Sequence, residues 1–547
     1  MTRRSAAWPA ALAAGIALAM LAACARSGSG PAATEAAAPG EPLLVRGGGP
    51  DPDSLDPQKV RGFEAQSIVR DLCEGLTTLD HSAAVAPGVA SHWSVSADGR
   101  IYTFTLRPEA RWSNGDRVVG ADFVAGLRRL VDPATASGYA QYADVIVNTD
   151  DIVAGRKPPE SLGIAAPDDS TVVVTLAAPA PYLPALLSHP STCPVHRPTL
   201  ANHPDAYSRA GVMVANGAFV LKEWVQGSYV LATRNHRYWN DAATRLAAVK
   251  YLIIPDENAE LARYRGGELE ITAVVPRGQF DWIKEHLGGQ LHVSPQLTTY
   301  YYGFNLRRAP FAQQPQLRRA LSLVIDREKL ASLVLRVGEL PAYGWVPPGI
   351  AGYTPQSFDY ASEPMPARIA EAQRLYREAG YSHARPLSFE LRYNAGEVHT
   401  KVAVAVASMW KEALGAEVKL TQVEFKTLLE EIDRGDVELF RSSWAGDYND
   451  AYTFAQYLKG DFGLNLPRYR SAAYDALLTR AAAEIDPSRR RALLEEAERL
   501  MLADHPLLPL YFYVNKHLVK PEVLGWYDNV MNVIYSKDLG LKTRSAQ

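Results

Sequence analysis

The sequence predicts an α/β fold divided into lobes, and three observations carry that prediction. Through roughly the first 300 residues, short alternating apolar runs bounded by Gly, Pro, Asn and Asp read as strands and turns. After Tyr302 the apolar stripes lengthen and take the 3.6-residue spacing of helices. At 402–414 one such stripe stops at Gly415, where a helix end accepts a left-handed residue, and feeds the strand-like run 417–423, a helix–strand unit of α/β type. The chain has 547 residues, and the roughly 500 beyond its N-terminal segment are enough for about three lobes.

In chain order, Arg3 and Arg4 precede an apolar run over 8–21 that is too short to span a bilayer as a permanent helix. Residues 1–23 therefore read as a signal peptide for export. The run ends in Leu21-Ala22-Ala23-Cys24, which resembles the bacterial lipobox, where the cysteine thiol is diacylated and becomes the first mature residue. Cys24 is the expected lipidation site, and its acyl chains would hold the protein at a membrane surface more firmly than one chain can. An ordinary signal-peptide site beside an incidental cysteine is the competing reading. Ala25 leaves inner- and outer-membrane anchoring both open. The rest of 24–42 is mostly Ala, Gly, Ser, Pro and Glu, cannot bury enough apolar surface to fold, and reads as a tether.

An extended segment at 43–46 and a turn at 47–57 lead to an amphipathic stripe predicting a helix over 61–76. Residues 101–106 alternate as a strand, Trp112-Ser113-Asn114-Gly115 makes a turn, and a helix follows over 120–130. Residues 171–176 are another strand, and 218–225 with 229–233 read as a hairpin around Gly227. Helices are predicted over 317–335, 367–379, with Gly380 as its stop, and 402–414.

Hydrophobic content of 47% and charged content of 21% are ordinary for a globular protein, and a formal net charge of -3 argues against a nucleic-acid binder. No metal site is expected from twelve scattered histidines without ligand spacing. The absence of C-x-x-C, H-E-x-x-H, G-x-S-x-G and Walker glycine motifs points away from an enzyme and from a bound cofactor. Of the three cysteines, Cys73 and Cys193 remain beside Cys24, in a compartment where a pair can bridge; two unpaired buried thiols are the alternative.

Several segments resemble the large peptide-binding family of extracytoplasmic solute receptors: Ser54-Leu55-Asp56-Pro57, Arg70-Asp71-Leu72 with Glu74-Gly75-Leu76, Ala86-Pro87-Gly88-Val89-Ala90, Ala121-Asp122-Phe123-Val124, Asn216-Gly217-Ala218, Pro341-Ala342-Tyr343-Gly344 and Tyr513-Val514-Asn515. The resemblance covers essentially the whole mature chain. It implies a periplasmic-binding-protein-like bilobed fold, with two large lobes and a small insert lobe around a cleft. The first large lobe takes 43–73, 198–297 and 515–547, the insert lobe 74–197, and the second large lobe 298–514. It also implies that short peptides are bound in extended form, mainly through backbone and terminal charges, and passed to the permease and ATPase subunits of an ABC importer. The protein is then an exported, lipid-anchored monomer of the periplasm or cell envelope.

The same resemblance assigns the ligand site. Asp447 falls where the family holds the peptide's α-ammonium, against a turn-capping role. Arg441 falls where it receives the carboxylate of a short peptide, and His399 where it meets that of a slightly longer one; a surface arginine and a solvated helix-start histidine are the bland readings. Tyr139, Phe425, Trp444 and Tyr513 match cleft-lining aromatics, against plain core packing. Where an enteric family member has charged pocket residues, this chain has Arg61 and Gly303 in place of two glutamates and Ile432 in place of an arginine. That makes the cleft more positive and favours acidic peptides. It also weakens the alternative of a murein-peptide receptor, while a signalling peptide receptor and, from another class, an envelope peptidase or hydrolase stay in view. The family member's own disulfide positions are Thr298 and Ala445 here; Cys73 and Cys193 instead fall near the two crossings into the insert lobe, within bridging reach.

Overall fold

The computed structural model describes residues 42–542; the signal segment, Cys24 and the tether up to residue 41 lie outside the described residues. Three main sheets organise the chain. In the first, Leu43–Gly47 pairs in parallel with Ala248–Leu252, and Tyr229–Arg234 and Phe219–Val225 complete it as the antiparallel hairpin expected around Gly227. The second is an antiparallel sheet of Ala90–Val95, Ile101–Leu106, Thr171–Thr175 and Ile164–Asp168, in that order. Its inward residues Tyr102, Phe104, Val172 and Val174 pack with Phe123 and Leu127 of the helix Gly120–Val131 into a core of their own.

The third sheet has six strands in the order Leu340–Pro341, Leu507–Leu518, Leu291–Phe304, Leu439–Ala445, Ser388–Asn394 and Glu417–Val423. Ser388–Asn394 and Glu417–Val423 run parallel, joined by the helix Glu397–Leu414, which ends at Gly415 with φ +71°. The helix–strand unit legible in the sequence is thus the crossover of a βαβ motif. The two longest strands, Leu291–Phe304 and Leu507–Leu518, run between the first and third sheets. One end reaches the first sheet through Ile271, which bridges both Arg46 and Val519, and the other end lies in the middle of the six-stranded sheet. Their pairing is irregular between Pro295 and Thr299.

Two helices differ from expectation. The one predicted over 61–76 spans Phe63–Leu72, because Cys73 turns extended (φ -139°, ψ 151°) and is bonded to Cys193. The one predicted over 317–335 is broken: Pro315–Leu323 stops, the Asp326 carboxylate caps a new start by accepting from Lys329 N, and the chain finishes as a π-helical stretch, Leu330–Leu335. Buried arginines accommodate the break, since Arg368 donates to the Leu323 and Ile325 carbonyls and Arg327 to that of Ser322.

Among the described residues, no helix is long and apolar enough to cross a membrane, and no group of three or more His, Cys, Asp or Glu residues is placed to hold a metal ion.

Candidate ligand site

The site begins with strand register. Tyr302 lies opposite Arg441 and Tyr300 opposite Ser443, so Tyr300, Tyr302 and Arg441 emerge on one face of the six-stranded sheet. The Arg441 guanidinium lies 4.5 Å from the Tyr300 ring centroid, and Tyr511 stacks on Tyr300 at 4.5 Å from the other neighbouring strand. Arg441 Nη1 donates to Asn394 Oδ1 at 3.0 Å and Nη2 to the Tyr513 hydroxyl at 3.1 Å. His399, on the first turn of Glu397–Leu414, comes within 5.7 Å of the Tyr300 ring. Gly396 makes this approach feasible, because a Cβ there would stand 2.8 Å from His399 Cδ2.

Two buried nitrogens in this cluster, Arg441 Nε and His399 Nδ1, have no hydrogen-bond partner, and the Tyr300 hydroxyl lies against both Arg441 and the Tyr302 hydroxyl without well-aligned geometry. Buried polar groups are normally satisfied, so a convergent set left open next to a cation is a pocket built to receive an acceptor. Burial, with the Arg441 guanidinium beside it, brings the His399 imidazole down to about 4, so it is neutral at physiological pH.

Asp447 marks the other end, two residues past Leu439–Ala445. Its backbone N–H donates to Thr453 Oγ1 at 3.2 Å and its carbonyl accepts from the Tyr142 hydroxyl at 2.9 Å. No ion pair forms at its carboxylate among the described residues, and burial pushes that carboxyl up to about 6. A carboxylate kept in such surroundings suits a cationic group that arrives with the ligand.

The remaining expected residues are more dispersed. Tyr139 is half-buried and donates through its hydroxyl to the Arg61 carbonyl at 2.9 Å. Arg61 itself is exposed and reaches the Ala136 carbonyl at 3.3 Å. Phe425 opens the helix Phe425–Arg434 and is 49% exposed. Trp444 lies on the opposite face of the sheet from Arg441, against Tyr457 and Phe462.

Two of the charge changes fall at closely packed positions. Gly303 shares the Tyr301 face, and a Cβ on it would meet the Phe440 ring at 2.4 Å, so no charged side chain fits there; Ile432 is 4% exposed in the second lobe's core. Sequence reasoning missed Tyr300, Tyr302, Asn394 and Tyr142. The run Tyr300-Tyr301-Tyr302 carried a signal, since strand alternation puts its outer two members on one face.

Residues 84–465 match the family described as bacterial extracellular solute-binding proteins, family 5. The chain belongs to this family. Family 5 is a family of binding proteins, which accords with a site that presents binding groups. The chain is 38% identical over 536 residues to the periplasmic oligopeptide-binding protein OppA of Salmonella typhimurium, covering 96% of this chain and 97% of that protein. Its fold matches the unliganded open form of the periplasmic murein tripeptide-binding protein MppA with a TM-score of 0.87 at 37% identity, covering 92% and 97% of the two chains. The Haemophilus influenzae OppA complex with RPPGFSPFR gives 0.70 at the same identity, covering 92% and 99%. At equal identity, this chain is thus nearer in shape to the open form of MppA than to the peptide complex.

Proposed function

We propose that this family 5 protein captures short peptides for an ABC-type importer, holding the peptide's α-ammonium at Asp447 and its carboxylate at Arg441, with His399 taking over for slightly longer ligands. The observation that carries this reading is charge placement. An unpaired carboxylate stands at one end, and at the other a guanidinium whose own Nε and whose neighbour His399 Nδ1 are unsatisfied. Asp447 lies six positions beyond Arg441 along the chain, at most about 20 Å, which is on the order of the span of a short extended peptide. A zwitterion of that length satisfies both ends at once, while side chains left in hydrated space are read weakly.

The lobes that close on it are 43–73 with 198–297 and 515–547 on one side and 298–514 on the other, with 74–197 as the insert. Tyr139, Tyr513, Phe425 and Arg61 supply sequence-tolerant walls, while Trp444, on the opposite face of the sheet, backs the strand. Cys24 anchors the chain to a membrane surface, and the receptor hands its cargo to the importer without chemistry. The test is titration calorimetry with a tripeptide and with its N-acetylated and C-amidated forms. Tight binding of the doubly free peptide alone supports the reading; equal binding of all three overturns it.

A further inference from the structure

Asp447 lies in a turn beyond the last strand residue, Ala445, so sheet pairing does not orient its peptide planes. Its N–H is held from within the same lobe by Thr453 Oγ1, and the plane that carries its carbonyl is held by the insert lobe. Tyr142, 6% exposed, donates to the Asp447 carbonyl at 2.9 Å, and two residues on Asn449 Nδ2 donates to the Ala83 carbonyl at 2.7 Å. Tyr182 stacks on both Tyr448 (4.8 Å) and Tyr452 (5.1 Å), closing the same turn from above.

Tyr142 is itself held. Its ring stacks on His189 at 4.0 Å, and the His189 tautomer is set because Ser191 N–H donates to Nδ1, which leaves Nε2–H to donate to Gln66 Oε1 at 3.2 Å. Gln66 Nε2 then donates to the Tyr139 hydroxyl at 2.6 Å, and that hydroxyl donates to the Arg61 carbonyl. Every donor in this series has one acceptor, and the series runs from the first lobe through the insert to the turn of the second lobe that carries Asp447.

We infer that Tyr142, backed by His189 and Gln66, is the positioning residue that aims the Asp447 carboxylate, and that the insert lobe thereby sets the receptor's demand for a free α-ammonium. This rests on the proposed role of Asp447. A hydroxyl that fixes the carbonyl of a residue fixes the rotation of its peptide plane, and with it the direction of the side chain. Without the bond, the Asp447 N–H stays on Thr453 but the carbonyl loses its fixed direction, and the carboxylate meets an ammonium in more than one geometry.

Tyr142→Phe keeps the ring and its stack and removes only the donor. In wild type a free-amino tripeptide should bind far more tightly than its N-acetyl form; in Tyr142→Phe the free-amino affinity should fall about tenfold while the N-acetyl affinity stays put, narrowing that ratio. In an Asp447→Asn background the same substitution should have almost no further effect, as expected of two residues acting through one interaction. Equal losses for both peptides, or undiminished loss in the Asp447→Asn background, would show a merely structural role and overturn the inference. If wild type fails to distinguish the two peptides, the Asp447 reading itself falls; if wild type distinguishes them and Tyr142→Phe does so equally well, the positioning role alone falls.

Discussion

Tyr302 stands directly opposite Arg441 across two antiparallel strands, the Tyr300 hydroxyl lies against both, and Arg441 Nε is buried without a hydrogen-bond partner. A donor buried without an acceptor is costly, so this cluster holds open a place for a ligand oxygen. Arg441→Ala is expected to weaken tripeptide binding by roughly 2–5 kcal/mol, the usual loss for one partner of a buried charge pair. Longer peptides, whose carboxylate reaches His399, should lose less. Calorimetry across tri- to pentapeptides checks this, and an equal loss at every length removes Arg441 from the role.

Asp447→Asn should weaken free-amino peptides by a similar roughly 2–5 kcal/mol. It should also stabilise the ligand-free protein. Burial raises the folded-state pKa to about 6, above the unfolded value, so the cost of the charge is fully present above about pH 6 and gone by about pH 4, where both states are protonated. Thermal melts should therefore show the variant above wild type at neutral pH and level with it near pH 4. A variant less stable at neutral pH contradicts this.

Binding of free-amino peptides should be flat above about pH 6 and weaken below it, approaching tenfold per pH unit, because the ligand's ammonium needs Asp447 ionised. Asp447→Asn should flatten that dependence. If the acid-side loss persists unchanged in the variant, another group is responsible.

The Cys73–Cys193 bond closes a loop with a sequence separation of 120, tying the two ends of the insert. Replacing both cysteines by serine should cost about 2–4 kcal/mol of stability, read by denaturant unfolding, with peptide affinity in the folded protein little changed. A variant as stable as wild type shows that hydrogen bonds such as Gln58 Nε2 to the Cys193 carbonyl hold the junction unaided.

Charge selectivity now rests on Arg61 alone. Since that side chain is exposed, the preference for a central Glu over Lys in matched tripeptides should be small, about 0.5 kcal/mol, and should shrink as salt rises. Arg61→Glu should reverse it. A Lys preference in wild type shows that Arg61 does not face the ligand.

The local grammar of the chain was legible without coordinates. Strand alternation at 101–106, the hairpin around Gly227 and the helix ended by Gly415 are all decided by residues a few positions apart, through backbone conformation and apolar spacing. Where a local rule met a distant partner, the prediction slipped. The stripe over 61–76 is helical in pattern, yet the chain turns at Cys73 to meet a cysteine 120 residues away; the stripe over 317–335 breaks where Arg327 and Arg368 take up the freed carbonyls.

What the sequence by itself determined was the class of protein, because the family motifs are written in order along the chain; it also supplied Asp447 and Arg441, the charged positions of the proposed site. Tertiary structure alone decided which side chains share a face and which groups lack partners. Strand register put Tyr302 opposite Arg441 and turned Gly303 into the Phe440 ring, and lobe packing brought Tyr142 to the Asp447 carbonyl across 305 positions. Pairing register and lobe contact are long-range choices, made by the burial of whole faces, and no short window of sequence contains both sides of them.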